Sequence, residues 1–419
     1  MKKIIIVLLV ILLIVSGSIF LIHTSNKLAK INEEKEEARK QQEIIKNAKI
    51  EVTLKDNLVA SFYSKVKVSD YIESINGTIV DDYFIDTEKI GDNKIEFEFV
   101  NDENIKVPFS YNLQVKDDTP PQIWMGNDYY INEGDGGDIA SRITCVDNYD
   151  DDPKCEIIGT YNPYEADDYS LTYRATDNSG NVNNHPFTLH VIIPSSGSGG
   201  KSSYSNKKTP FEDVQDWYKN ENTMIGIDVS EWQYDIDYEA LKNAGVEFAI
   251  IRVGGTKGID GNYFLDAKFE RNINGFKEVG IPVGIYFYSY AKTKEAAIKD
   301  ANWVIEQLQN YKIDLPVAYD WENWSFYNEF HQSFYTLSTN AKAFLDTLKD
   351  AGYEGLLYGS KNYLEKAWFD IGYPEWLAHY NETTNYAGNY TYWQICSNGK
   401  VDGIKGNVDI DIMFLQKED

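Results

Sequence analysis

Cysteine and histidine are scarce, with three and five residues in a chain of 419. Cys145, Cys155 and Cys396 form no CxxC pair and no Cys/His cluster, which argues against a zinc centre or any other resident metal. Basic residues are also short, 40 against 66 acidic ones, for a formal net charge of −26. A chain so acidic lacks the basic patches that neutralise phosphates, which argues against a nucleic-acid partner. No Gly-rich phosphate loop is present, and no serine or cysteine elbow accompanies His331 or His379, so both histidines read as structural.

Long apolar runs are confined to one place. Ile4 to Ile22 carries no charge, follows Lys2 and Lys3, and would span about 28 Å as a helix, enough to cross a hydrocarbon core. Residues 1–25 therefore read as a cytoplasmic tip and a transmembrane signal anchor, with the bulk of the chain outside. A cleaved signal peptide is the alternative, but Ile19, Phe20, Leu21 and Ile22 continue past the small residues of Ser16-Gly17-Ser18, and no lipid-attachment cysteine follows. Residues 26–49 are rich in Glu, Lys, Gln and Ala and read as a helical stalk, since Lys35 and Gln42 interrupt a coiled-coil seam.

Residues 50–117 and 118–194 alternate apolar and polar residues over short stretches such as Lys94–Phe99 and Tyr169–Ala175, the pattern of all-β sandwich modules. Cys145 and Cys155 lie close together in the second, either as a local disulfide or as two unpaired thiols. Asp147, Asp150, Asp151 and Asp152 form an acidic loop that reads as solvated rather than as a calcium site. Residues 195–209 read as a flexible Ser/Gly linker. The second module resembles bacterial immunoglobulin-like surface modules through Asp118-Thr119-Pro120-Pro121, Asp147-Asn148 and Ala175-Thr176-Asp177-Asn178-Ser179-Gly180-Asn181; the first does so more faintly. That resemblance implies a spacer or adhesive role.

Composition changes in residues 210–419. Eight of the nine tryptophans lie at or beyond Trp217. Apolar strand candidates (Ile225–Val229, Phe248–Val253, Val283–Tyr288, Val317–Trp321, Gly355–Tyr358, Trp376–Tyr380) alternate with amphipathic stripes such as Leu337, Ala341, Phe344, Leu345 and Leu348. Alternation of this kind predicts a parallel α/β fold, and without a phosphate loop a barrel is favoured over a dinucleotide-binding sheet. Carboxylates fall at predicted strand ends: Asp228 on the first, Asp320 and Glu322 on the fourth, Asp409 and Asp411 on the last. Asp320 and Glu322 are two apart, so both point to one face. Such a pair can supply the proton donor and the second carboxylate that glycoside hydrolysis requires.

The whole pattern is similar to glycoside hydrolase family 25, the muramidases that cut bacterial peptidoglycan. Its carriers are Gly226-Ile227-Asp228-Val229-Ser230-Glu231-Trp232-Gln233, Phe248–Arg252, Pro282–Tyr288, Tyr319-Asp320-Trp321-Glu322, Trp376–Tyr380, Trp393-Gln394 and Gly406–Asp411. The resemblance implies a shortened TIM-like barrel of about five β/α units followed by plain strands. It implies cleavage of the β-1,4 bond between N-acetylmuramic acid and N-acetylglucosamine without a cofactor. Glu322 would be the general acid/base and Asp320 the second carboxylate, with Asp228 and Asp409 tuning them. Tyr286, Tyr288, Trp321, Tyr380, Trp393 and Gln394 would contact sugar, with Trp232 a further stacking candidate. Trp321, Asp411 and Phe287 depart from the residues commoner in the family. The implied partner is the glycan strand of the wall, with one N-terminal helix in the membrane. The expected role is wall catabolism or remodelling at the cell surface, in the service of a secretion or conjugation apparatus on one reading. An inactive wall-binding or adhesion protein is the alternative.

Overall fold

A computed structural model describes residues 27, 30–194, 208–259 and 261–415. The expected membrane helix over 1–25 lies outside the described residues, as does most of the 195–209 linker. Among the described residues no helix is long and apolar enough to cross a membrane. Residues 30–47 are helical. The rest divides into two compact units at Asp118/Thr119.

In the first unit, a long hairpin pairs Gly91–Asn101 with Lys106–Lys116 and turns at Asn104, which takes positive φ. Ile95, Phe97 and Phe99 are buried on one face while Lys94, Glu96 and Glu98 face out, the period-two pattern of a half-buried sheet. Val59–Ser61 and Gly77–Ile79 flank this hairpin, and Val52–Leu54 pairs separately with Ile72–Ile75.

The second unit opens with a module of two sheets. One orders Lys154–Ile158, Asp168–Thr176, Val182–Ile192 and Asp128–Asn132; the other pairs Gln122–Trp124 with Thr144–Val146. Ile131, Ile139, Leu171, Tyr173, Phe187 and Leu189 form its core, and a disulfide joins Cys145 to Cys155. The rest of the unit is a barrel. Its strands are β1 (Thr223–Val229), β2 (Ala249–Lys257), β3 (Val283–Tyr288), β4 (Val317–Asp320), β5 (Gly355–Ser360), β6 (Glu375–Ala378), β7 (Tyr390–Lys400) and β8 (Val408–Phe414). Helices α1 (Phe211–Tyr218), α2 (Tyr238–Asn243), α3 (Phe269–Glu278), α4 (Lys294–Leu308), α5 (Phe334–Asp350) and α6 (Lys361–Lys366) accompany them.

The expectation of a shortened TIM-like barrel is corrected by this topology. The domain is β-rich, and its sheet closes through β8, which runs antiparallel to both neighbours, β7 and β1. An antiparallel strand, Asn262–Leu265, also hangs on β2, and Thr209–Pro210 adds to β7. The reason is chain length. Only seven residues, 401–407, connect β7 to β8, too few for the crossover a parallel return needs, so the chain must fold back as a hairpin. Strand–helix periodicity reports local order and is blind to how the last strand closes the ring.

Alternation fixes what faces inward. On β1 to β7 the even-numbered residues point into the barrel, as far as the bulges after Arg252 on β2 and Gln394 on β7, and on β8 the odd-numbered ones do. Phe248, Ile250, Ala318, Leu356, Trp376, Tyr392 and Met413 fill the interior. Ile227, Ile251, Phe287, Tyr319, Trp321, Leu357, Leu377 and Trp393 pack outward, in the core that the helices cover.

Candidate active site

The inward rows end in acid at the mouth of the barrel. Asp228 on β1 lies directly opposite Asp409 on β8, and Asp411 sits one inward step further along β8. Asp320 closes β4, and Glu322 follows just beyond the strand. The structure thus brings the four expected carboxylates together with Asp411.

Gln394 ties the floor of this cluster. Its Nε2 donates to Asp228 Oδ2 at 2.8 Å, and its Oε1 accepts from the Tyr358 and Tyr380 hydroxyls, each at 2.9 Å. Trp376 Nε1 donates to Asp411 Oδ1 at 2.8 Å. Arg252 also points inward. It bonds Asp266 at 2.7 Å and Glu231 at 3.0 Å, which leaves its positive charge beside the cluster.

Burial dominates the proton affinities. Asp228, Asp320 and Asp411 are buried, and desolvation pushes each well above the usual carboxylate range. Like charges add to this: Asp411 on Asp228, Glu322 and Asp228 on Asp320, and Asp409 on Asp411. Arg252 works against the rise at Asp320. Asp409 is pushed up to about 9, by desolvation first and then by Asp228 and Glu322. Glu322 is open to solvent at the mouth, yet the surrounding walls withhold enough water from its carboxyl to raise its pKa. A hydrogen bond from Tyr358 pulls it back down. Tyr358 therefore has one proton and two acceptors, Gln394 and Glu322. One oxygen of Asp320, Oδ1, is buried with no hydrogen-bond partner.

The expected sugar contacts divide sharply. Tyr380 is 56% exposed beside Glu322, where the two help line a cavity of about 360 Å³ with Tyr358 and His379. Tyr286 faces inward among Asp228, Asp320 and Asp409, edge-on to Trp376. Tyr288 reaches Asn323 at 3.4 Å, and Trp232 stands exposed on the loop after β1. Trp321 and Trp393 are corrected. Both occupy odd positions and face the outer core, 1% and 2% exposed, so no sugar reaches their rings. Trp321 packs edge-on against Trp324, Tyr327 and Phe330, and Trp393 donates its Nε1 to the His379 carbonyl. Gln394 serves as a carboxylate anchor within the floor. His379 meets Thr384 and His331 meets Asp152. Tyr358 and Arg252 were not singled out from sequence, although their even positions on β5 and β2 carried the signal. Among the described residues of the barrel, no three carboxylate, histidine or cysteine ligand atoms converge closely enough to hold an ion.

Comparison with known proteins places this geometry. The matched stretch is 28% identical over 193 residues to an autolytic lysozyme of Clostridium acetobutylicum, covering 45% of this chain and 55% of that one. It is 25% identical over 206 residues to lysozyme M1 of Streptomyces globisporus, covering 44% and 65%. The chain thus spans little more than half the length of the first of these relatives. Among solved structures, the modular autolysin LytC of Streptococcus pneumoniae, in complex with a synthetic peptidoglycan ligand, aligns at 24% identity with a TM-score of 0.43, covering 58% of this chain and 56% of that one. The family model described as Glycosyl hydrolases family 25 matches residues 227–404 of this chain.

Proposed function

We propose that this protein is a muramidase that hydrolyses the β-1,4 bond between N-acetylmuramic acid and N-acetylglucosamine in peptidoglycan. The carrying observation is the pairing of Glu322, open at the mouth with a raised pKa, with the buried Asp320 two residues before it. Desolvation raises the pKa of Glu322, which favours its protonated form, and that proton is delivered to the departing sugar oxygen. Asp320 then faces the positive charge that builds on the ring, and its unpartnered Oδ1 is suited to accept the N–H of the substrate's 2-acetamido group. The relatives' names, autolytic lysozyme and lysozyme M1, support the substrate class.

The Cys145–Cys155 disulfide favours an oxidising setting, so the protein acts outside the cytoplasm, at the wall. Mass spectrometry of fragments released from purified wall tests the reading. Wild type should leave N-acetylmuramic acid at the new reducing end, and Glu322→Gln should release none. A wall-binding protein without activity would retain wall fragments and yield no new reducing ends.

A further inference from the structure

The chain that follows Glu322 is held from outside the barrel. Residues 323–333 lead from the catalytic strand to α5, and their anchors lie on the 119–194 module. Trp124 stacks against Trp324 at 5.3 Å and against Tyr363 at 5.1 Å, with Trp324 on Tyr363 at 4.0 Å. Trp324 stands two residues after Glu322 and also meets Trp321, the residue before it, edge-on at 4.9 Å.

Asn328 donates to the carbonyls of Ile143 at 2.8 Å and Ser141 at 3.1 Å, and accepts from the Cys145 N–H at 3.3 Å. The start of α5 is closed by the acidic loop. Asp151 accepts from the Ser333 N–H and the Thr336 hydroxyl, each at 2.7 Å, while the N–H groups of Phe334 and Tyr335 donate to the carbonyls of Asp147 and Asn148. The loop that sequence reads as a solvated acidic patch is therefore the tooth that grips the barrel.

Such a joint exceeds what a spacer needs. A spacer has no reason to stack a tryptophan on the segment that carries the proton donor. We propose that the 119–194 module is a working part of the hydrolase site, with Trp124 as a positioning residue that holds Glu322 in place through Trp324. Trp124 touches no substrate. It fixes the backbone on the far side of the acid, where a displacement of about 1 Å is enough to cost on the order of 100-fold in rate. The residues placed to meet sugar, Tyr286 and Tyr380, sit on β3 and after β6, away from this joint, so binding should survive its loss. The inference rests on the muramidase reading above.

The test is steady-state kinetics of the full chain on soluble peptidoglycan fragments, comparing wild type, Trp124→Ala and Trp124→Phe at a temperature where circular dichroism finds each folded. Trp124→Ala should lower kcat at least tenfold with KM within twofold, and Trp124→Phe, which keeps a stacking ring, should recover most of kcat. A Trp124→Ala protein that loses only melting temperature, or loses kcat and KM together, overturns the proposal. Should Trp124→Ala fail to fold, Asn328→Ala and Asp151→Asn are judged by the same split. Wild type that releases no reducing ends would sink the muramidase reading itself, a result distinct from active wild type with an equally active Trp124→Ala.

Discussion

The side chain of Gln394 joins Asp228 to Tyr358, donating its amide N–H to the carboxylate at 2.8 Å and accepting a hydrogen bond from the Tyr358 hydroxyl at 2.9 Å. One neutral residue thus sets the orientation of groups on β1, β5 and the loop after β6. Gln394→Ala would strip Asp228 of its donor, take away the Tyr380 hydroxyl's acceptor and leave Tyr358 with Glu322 alone. Leaving buried polar groups unpaired costs about 1–3 kcal/mol each. We expect thermal melting to fall by several degrees and glycan hydrolysis to be lost, readable by denaturation scans and reducing-sugar release.

Tyr358→Phe probes the same network from the other side. The Tyr358 hydroxyl lowers the pKa of Glu322, so removing it should raise that pKa. On the muramidase reading, activity needs Glu322 protonated and falls as pH climbs through its pKa. The alkaline limb of kcat/KM should therefore move to higher pH in Tyr358→Phe. A limb that stays put or moves down would show that another group sets it.

Asp320→Asn keeps the shape of the second carboxyl group and removes its capacity to ionise. If Asp320 works against charge in the transition state, kcat should fall about 100- to 1,000-fold with KM little changed. Equal losses in wall clearing and in wall binding would instead assign Asp320 to ground-state contact.

Stability should also depend on pH. Asp409 is held at about 9 in the fold, above the ordinary value of about 4 expected in the unfolded chain. The native state then binds the extra proton between those limits, so this group's contribution is full below pH 4 and is lost as pH rises toward 9. Asp228, Asp320 and Asp411 shift the same way. The melting temperature should decline over that window, and Asp409→Asn should make the decline shallower.

Tyr380→Ala and Trp321→Ala should separate binding from packing. Tyr380 is exposed at the groove, and its loss should raise KM for glycan fragments with little change in melting. Trp321 is buried in the outer core, and its loss should cost about 3–5 kcal/mol of stability through the cavity left behind.

Much of the site was legible in sequence because it rests on parity. Asp320 and Glu322 could be placed on one face from their spacing of two, and Asp228 at the end of its own strand, and the structure gathers all three at one mouth. The same parity, applied to Trp321 and Trp393, would have turned both rings outward; the motif suggested sugar contact and masked the simpler inference. Barrel closure was not legible, since the pairing of β8 with β1 joins residues nearly two hundred positions apart. The grip of Asp151 on α5 is hidden for a related reason. A short acidic loop looks alike in sequence whether water or a helix N-terminus faces it.

The hairpin return of β8 bears on the order of assembly. Seven staves of the ring are made before the eighth, and Asp409 and Asp411 ride on that last piece. A nascent chain halted at residue 400 would hold an open sheet with Asp228 still wet on its free edge. Translation through β8 thus completes both the hoop and the acid cluster in one event.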